Sequence, residues 1–240
     1  DLGIAGKNAI VCASSRGLGR ACAVSLARAG AHVTLNGRNE DKLKEAADLC
    51  HAAGAHGVNI VKADVSTTDG QDALMEACPK CDILINNNGG PPLKDFRELD
   101  REAILDGVTQ NMVTPIELIQ RVLPHMEEHK FGRILNITSA SGKMPILGLD
   151  LSSGARAGLT AFMAGPARAL AGSNITVNCI LPGMFDTDRL KGSTETQARL
   201  KGVSIDEMAE SRAQSVPARR FGTPEEFGEL AAFLCSAQAG

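Results

Sequence analysis

The chain has 240 residues, 43% of them hydrophobic and 22% charged, with a formal net charge of −3. That is enough for one well-filled globular domain and short for two, so residues 1–240 read as a single unit. The charge balance offers no basic field for nucleic acid or an anionic membrane, and no stretch approaches the ~20 apolar residues that span a bilayer.

Asp1-Leu2-Gly3 leads straight into a strand-like segment, without the charged and apolar regions of a signal peptide. Asn8–Ala13 (NAIVCA) predicts a buried strand, and Gly17–Gly30 a helix closed by its glycine. His32–Asn36 follows as a second strand, then an amphipathic helix over Asn39–His51 capped by Asn39. A third strand falls at Val58–Lys62, a helix at Asp69–Ala77 and a fourth strand at Asp82–Asn86. Roughly Arg101–His129 predicts a long helix interrupted near Pro115, followed by a strand at Gly132–Thr138. A helix over Leu151–Ala171 and a strand at Ile175–Ile180 complete the alternation. Asp186–Ser215 is polar and poor in strand signals, and reads as a mobile, partly helical excursion. Thr223-Pro224-Glu225-Glu226 marks the start of a last helix over Pro224–Ser236.

Strands and helices that alternate in this way, with apolar strands, imply an α/β fold. Its parallel sheet is covered by helices on both faces, a doubly wound arrangement of the Rossmann type. Cys12, Cys22, Cys50, Cys78, Cys81, Cys179 and Cys235 are odd in number and show no framework spacing. Cys78-Pro79-Lys80-Cys81 is a lone CxxC with no second ligand cluster, so free thiols at a helix end are expected rather than zinc, with a redox pair as the alternative. No metal site is expected, and such a set of thiols suits the cytoplasm.

Between the first strand and first helix lies Cys12-Ala13-Ser14-Ser15-Arg16-Gly17-Leu18-Gly19. Small residues there let the backbone turn tightly and let a pyrophosphate approach the free N–H groups of the helix. Ala13, Ser15, Arg16, Gly17, Leu18 and Gly19 are therefore candidate dinucleotide contacts, with a plain glycine turn as the alternative. The second strand ends in Asn36-Gly37-Arg38, without the carboxylate that holds the ribose hydroxyls of NAD. Arg16 and Arg38 can flank a 2′-phosphate, which favours NADP, with NAD as the alternative; two surface arginines are the bland reading.

The turn resembles TGxxxGxG of the short-chain dehydrogenase/reductase family, with Cys12 for Thr and Ala13 for the first Gly. An alanine serves there only where the backbone does not need a positive φ. Asn86-Asn87-Asn88-Gly89-Gly90-Pro91-Pro92 is close to the family's NNAG, Gly132–Ser139 matches its catalytic-serine strand, and Asp64-Val65 resembles its adenine-contacting pair. The resemblance, to a divergent branch similar to 3-oxoacyl-[acyl-carrier-protein] reductases, covers essentially the whole chain. It implies cofactor contacts at Asn87, Gly89, Pro182, Gly183 and Thr187, and catalytic roles for Asn111 and Ser139. It also implies that Asp186–Ser215 is a substrate lid, and that the long fourth and fifth helices build a homotetramer or homodimer with apolar contacts from Leu159, Phe162 and Met163. The chain stops about where a further strand and glycine-rich tail follow in the family.

One element of the family pattern is missing: the chain contains no tyrosine. Aligning through Ala157-Gly158-Leu159 puts Ser152 at the tyrosine of YxxxK and Arg156 at its lysine, the latter also a cofactor contact. A phenol of pKa about 10 can be lowered toward neutrality by an adjacent cation; an aliphatic hydroxyl is far less acidic, and a guanidinium does not relay protons. Lys143 and Asp150 are candidate substitutes, though solvated loop charges is the plainer reading of both, and no histidine is expected to donate. Three functions follow. One is NADP-dependent reduction of a 3-oxoacyl-type or small ketone substrate, free or carrier-bound. The others are a dinucleotide-binding protein with little or no activity, in a regulatory or assembly role, and an elimination or hydration that needs no phenol.

Overall fold

The six apolar segments that alternate with helices pair in parallel into one sheet, as the doubly wound expectation requires. The computed structural model describes residues 1–91, 93–144 and 146–240; Pro92, the last residue of the NNNGGPP motif, lies outside them, as does Pro145. The strands are β1 (Asn8–Val11), β2 (His32–Gly37), β3 (Gly57–Lys62), β4 (Ile83–Asn86), β5 (Gly132–Ile137) and β6 (Ile175–Ile180). Their order across the sheet is β3-β2-β1-β4-β5-β6, so the winding reverses between β1 and β4. In sheets of this kind the crevice at that reversal, beyond the carboxyl ends of the strands, is where ligands bind.

The helices are α1 (Gly17–Arg28), α2 (Glu40–Ala53), α3 (Thr68–Ala77), α4 (Arg101–Val108), α5 (Thr114–Glu128), α6 (Asp150–Leu170), α7 (Asp188–Lys201), α8 (Ile205–Ser215) and α9 (Pro224–Leu234). Two apolar cores lie on opposite faces of the sheet. One joins Leu26, Leu35, Leu43, Ile85 and Phe227 from α1, β2, α2, β4 and α9. The other joins Ile10, Leu74, Leu84, Leu118, Leu159 and Met163 from β1, α3, β4, α5 and α6. Each such side chain contributes about 1.5–3 kcal/mol by leaving water. Leu159 and Met163 are thus core residues; of the three apolar side chains expected at an interface, only Phe162 is exposed.

Two local departures from the sequence expectations have physical causes. The long fourth helix does break, but one turn before Pro115, in a π turn over Thr109–Val113. Pro115 sits at the second position of α5, where its missing N–H is not needed. The 186–215 excursion is almost wholly helical rather than partly so. Thr187 caps α7, and Ser204 and Glu207 form a capping box on α8. Arg212 then ties α8 to α7 through Ser193 and Thr194, at 3.2 and 2.9 Å. Among the described residues no helix is long and apolar enough to cross a membrane, and no three His, Cys, Asp or Glu are grouped to hold a metal ion. All seven cysteines are free thiols; Cys78 and Cys81 are buried, and Cys81 bonds the Ile83 carbonyl at 3.1 Å.

Candidate active site

The turn after β1 carries Ala13 at φ +46°, so this position does require the left-handed region, and an alanine stands in it at a cost of about 1–2 kcal/mol. The strained turn is braced on both sides. Asn36 accepts Ala13 N through Oδ1 at 3.4 Å, its carbonyl takes Ser14 N at 2.8 Å, and Asn87 Nδ2 donates to the Ala13 carbonyl at 3.4 Å. Gly19 permits this closeness, because a Cβ there would collide with the Ala13 carbonyl and stand 2.8 Å from Asn87 Nδ2. Cys12, in the place of the family's threonine, is fully buried, and burial pushes its thiol up to about 12.

At the start of α1, Arg16 occupies the cap position with no side-chain cap bond. The contrast with α2, α3, α7 and α9, each capped by an Asn or Thr side chain, is informative. The first N–H groups of α1 are thereby left for an anion. Ser15 packs beside Gly37, where a Cβ would lie 3.3 Å from it, and Leu18 packs against the core beneath. Arg38 is 80% exposed at the end of β2, and its charged neighbour, 4.0 Å away, is the Asp64 carboxylate, 46% exposed. Bonds from Ser66 N and Oγ, ahead of the Arg38 charge, hold the Asp64 carboxyl below its usual value. Val65 turns its side chain into the core. Arg16 lies 3.9 Å from Asp188 on α7.

Beyond β4, β5 and β6 the remaining expected residues gather at the same edge of the sheet. Asn88 Nδ2 donates to the Gln110 carbonyl at 2.9 Å, and its Oδ1 accepts Gly89 N at 3.0 Å. The Pro182 carbonyl accepts Ala140 N at 3.2 Å, Gly183 is exposed beside it, and Thr187 follows as the α7 cap. Ser139 shares a bond with Ser141, Oγ to Oγ at 2.9 Å, and accepts Ser141 N at 3.2 Å. Asn111 sits in the π turn, a distortion common at functional sites, with Nδ2 bonded to the Gly107 carbonyl at 3.1 Å. Its Oδ1 is buried without a partner among the described residues, as are Asn86 Oδ1 and Thr114 Oγ1. These groups and Arg156 line one small cavity of about 10 Å³.

Ser152 and Arg156 are brought together, one turn apart on α6. Ser152 is 4% exposed and Arg156 8%, and Arg156 Nε donates to Ser152 Oγ at 3.3 Å. Arg156 Nη1 donates to the carbonyls of Ile137 (2.7 Å) and Thr138 (3.2 Å), and Nη2 to that of Asn88 (3.1 Å). The guanidinium therefore pins the end of β5 to the loop after β4. Burial first, and the charge of Arg189 second, bring its pKa down to about 10. No hydrogen bond joins Ser152 to Ser139 among the described residues, so the two hydroxyls of the expected site face different partners.

Other candidates for proton donation make no side-chain hydrogen bond to this arrangement among the described residues. Lys143 and Asp150 are exposed. His125 faces Asp82 at 3.6 Å, at the opposite end of β4. Sequence reasoning did not single out Ser141 or Arg189. Arg189, on the first turn of α7, lies against Gly90, where a Cβ would stand 2.7 Å from its Nη2. The signal was present as a lone arginine two residues after Thr187, but its reach across to the β4 loop depends on how α7 folds back.

The short chain dehydrogenase family matches residues 7–198 of the chain. The chain is 31% identical over 238 residues to the NADPH-dependent reductase BacG of Bacillus subtilis (strain 168), covering 97% of this chain and 92% of that protein. It is also 31% identical over 243 residues to the 3-oxoacyl-[acyl-carrier-protein] reductase of Aquifex aeolicus (strain VF5), covering 98% and 92%. Among solved structures, L-sorbose reductase from Gluconobacter frateurii, complexed with NADPH and L-sorbose, superposes with a TM-score of 0.93 at 31% identity, covering 100% of this chain and 93% of that one.

Proposed function

The chain belongs to the short chain dehydrogenase family, and from that membership we propose that it is an NADP-dependent oxidoreductase that reduces a carbonyl, with Ser152 and Arg156 in place of the family's tyrosine and lysine. One observation carries this reading. The uncapped start of α1, the Asn88–Gly90 loop, Ser139 and Arg156 share one edge of the sheet at its winding reversal. The relatives named as NADPH-dependent or NADPH-bound reductases support the cofactor.

NADP fits the residues present. Gly17 at φ +58° makes the turn that leaves the α1 N–H groups open to a pyrophosphate, Gly19 lets that turn close on the Ala13 carbonyl, and the end of β2, with Ser15 beside it, carries Arg38 and no carboxylate. Asn87, Gly89, Pro182, Gly183 and Thr187 frame the nicotinamide end, and Asp64-Val65 the adenine end. When bound, NADPH supplies the hydride. Ser139, oriented by Ser141, donates its hydroxyl hydrogen bond to the substrate carbonyl oxygen, and the buried Arg156 charge stabilises the oxyanion that develops there. Asn111 ties the π turn to the Gly107 carbonyl of α4. Water delivers the proton, since the Ser152 hydroxyl is turned onto Arg156 and is far less acidic than a phenol, while the Arg156 N–H groups are committed to Ser152 and to the Ile137, Thr138 and Asn88 carbonyls. Absence of a tuned general acid slows the reaction by about 10²–10⁴-fold relative to a complete site.

The same burial of Ser152 favours a second reading, a dinucleotide-binding protein with little turnover. A panel of ketones and 3-oxoacyl thioesters, followed by NADPH consumption at high protein concentration, separates the two. Slow, protein-dependent reduction of at least one member supports the first; tight NADPH binding with no reduction supports the second. The lid of α7 and α8 would cover the substrate, and the exposed Ile104, Leu105 and Phe162 on α4 and α6 support assembly into a homo-oligomer. The seven free thiols support a reducing, cytoplasmic setting.

A further inference from the structure

Two guanidinium groups converge on the Asn88–Gly90 loop. Arg156 reaches it from α6, with Nη2 donating to the Asn88 carbonyl at 3.1 Å. Arg189 reaches it from α7 and lies so flat on Gly90 that a Cβ there would be 2.7 Å from Nη2 and 3.1 Å from Nη1. A side chain at position 90 would push the guanidinium off the backbone at that point. The two charges interact, because Arg189 lowers the proton affinity of Arg156 beyond what burial does.

Neither charge has a counter-ion among the described residues. All four acceptors bonded by Arg156 are neutral, three carbonyls and one hydroxyl, which leaves one of its five N–H groups over. Arg189 is exposed and enters no ion pair among the described residues, while the carboxylates beside it in the chain are engaged elsewhere: Asp188 faces Arg16 at 3.9 Å and Asp186 faces Lys191 at 3.4 Å. A buried cation without a counter-ion is costly, and a second like charge beside it raises that cost. An anion entering between them removes both penalties, and a planar guanidinium suits a carboxylate.

We propose that the substrate is an oxo acid, its carboxylate held by Arg189 within the field of Arg156 while its carbonyl meets Ser139. The proposal rests on the reductase reading above and narrows its substrate class. In the reaction the carbonyl carbon takes a hydrogen with two electrons from NADPH as the C=O π bond breaks. The oxygen takes a proton from water, and a hydroxy acid and NADP⁺ result. The same anion chemistry has a second source, the phosphates of the cofactor, and the test must tell them apart.

The test titrates the NADPH-loaded protein with pyruvate, acetoacetate and levulinate, and with the methyl ester of each, reading nicotinamide fluorescence and NADPH consumption. The expected result is at least tenfold tighter binding, and higher kcat/KM where turnover occurs, for acids over their esters. In Arg189→Gln that ratio falls to twofold or less, and Arg189→Lys retains part of it, with NADPH affinity within twofold of the unmodified chain in both. Equal response to acids and esters, or no response to any acid, overturns the inference while leaving the reductase reading standing. A tenfold loss of NADPH affinity in Arg189→Gln also overturns it, by placing the arginine on the cofactor. Acid binding that depends on Arg189 without turnover supports the inference and tells against the reductase reading. Failure of the unmodified chain to bind NADPH removes both.

Discussion

Arg38→Ala should separate the two nicotinamide cofactors. In the free protein Arg38 is 80% exposed and its charged neighbour is Asp64 at 4.0 Å, itself 46% exposed. A pair this open contributes about 1 kcal/mol at most, so its loss leaves Tm nearly unchanged. The proposed bond from the guanidinium to the 2′-phosphate would be a charge-assisted contact of about 1.5–3 kcal/mol. Giving up the Asp64 pair offsets a few tenths of that, and Asp64 left facing the phosphate adds a little back. The net is about 2 kcal/mol, or roughly thirtyfold weaker NADPH binding at 1.36 kcal/mol per decade. NADH, which has no 2′-phosphate, should bind within twofold of its original strength. The assay is a fluorescence titration with each reduced cofactor at low and high ionic strength, and the NADPH advantage should shrink as salt rises. Equal losses for NADPH and NADH, or none for NADPH, would refute the assignment of Arg38 to the 2′-phosphate.

Three further substitutions probe other parts of the account. Ser152→Tyr with Arg156→Lys should raise kcat for a reducible ketone by ~10²-fold or more, because it restores a tunable acid; unchanged turnover with the fold and NADPH binding intact contradicts the proposed loss. Ala13→Gly relieves about 1–2 kcal/mol of left-handed strain and gives back about 0.4–1 kcal/mol to unfolded-state entropy. Tm should therefore rise by about 2 °C by thermal melting, and a lower Tm would count against strain at Ala13. Glu226 bonds Arg220 and caps α9 through Thr223 N, and these contacts lower its carboxyl pKa from 4.5 to about 2. A depressed folded-state pKa means that the stabilisation is present above about pH 4.5 and is lost as pH falls through about 2. Glu226→Gln should accordingly lower Tm at pH 7, with the difference from the unmodified chain closing as pH approaches 2; a gap constant with pH would contradict this.

Much of the fold was legible because its signals are local. Six apolar runs, Asn39 before an amphipathic stretch and Thr223-Pro224-Glu225-Glu226 each act within a few residues, and each element lies where they place it. The Asp186–Ser215 segment was only half legible. Its polar sequence hid the fact that Ser204 and Glu207 close a capping box and that Arg212 joins the two helices. Ala13 left open whether a positive φ was needed, since that depends on Asn36 and Asn87 bracing the turn from distant strands. The resemblance singled out Ser152 and Arg156 as a pair, but not the inward turn of the hydroxyl or the three carbonyls that the guanidinium gathers. Arg189 was invisible for the same reason. Its role depends on α7 folding back over Gly90, a contact between segments about a hundred residues apart.

Hydrogen transfer itself tests the central claim most directly. The protein, at high concentration, is incubated with NADPH carrying deuterium at both C4 positions and a panel of oxo acids and neutral ketones, and the products are examined by mass spectrometry. The account predicts one deuterium on the carbinol carbon of at least one product, formed slowly and only with protein present. Saturable NADPH binding with no label in any product, even after long incubation, would contradict it.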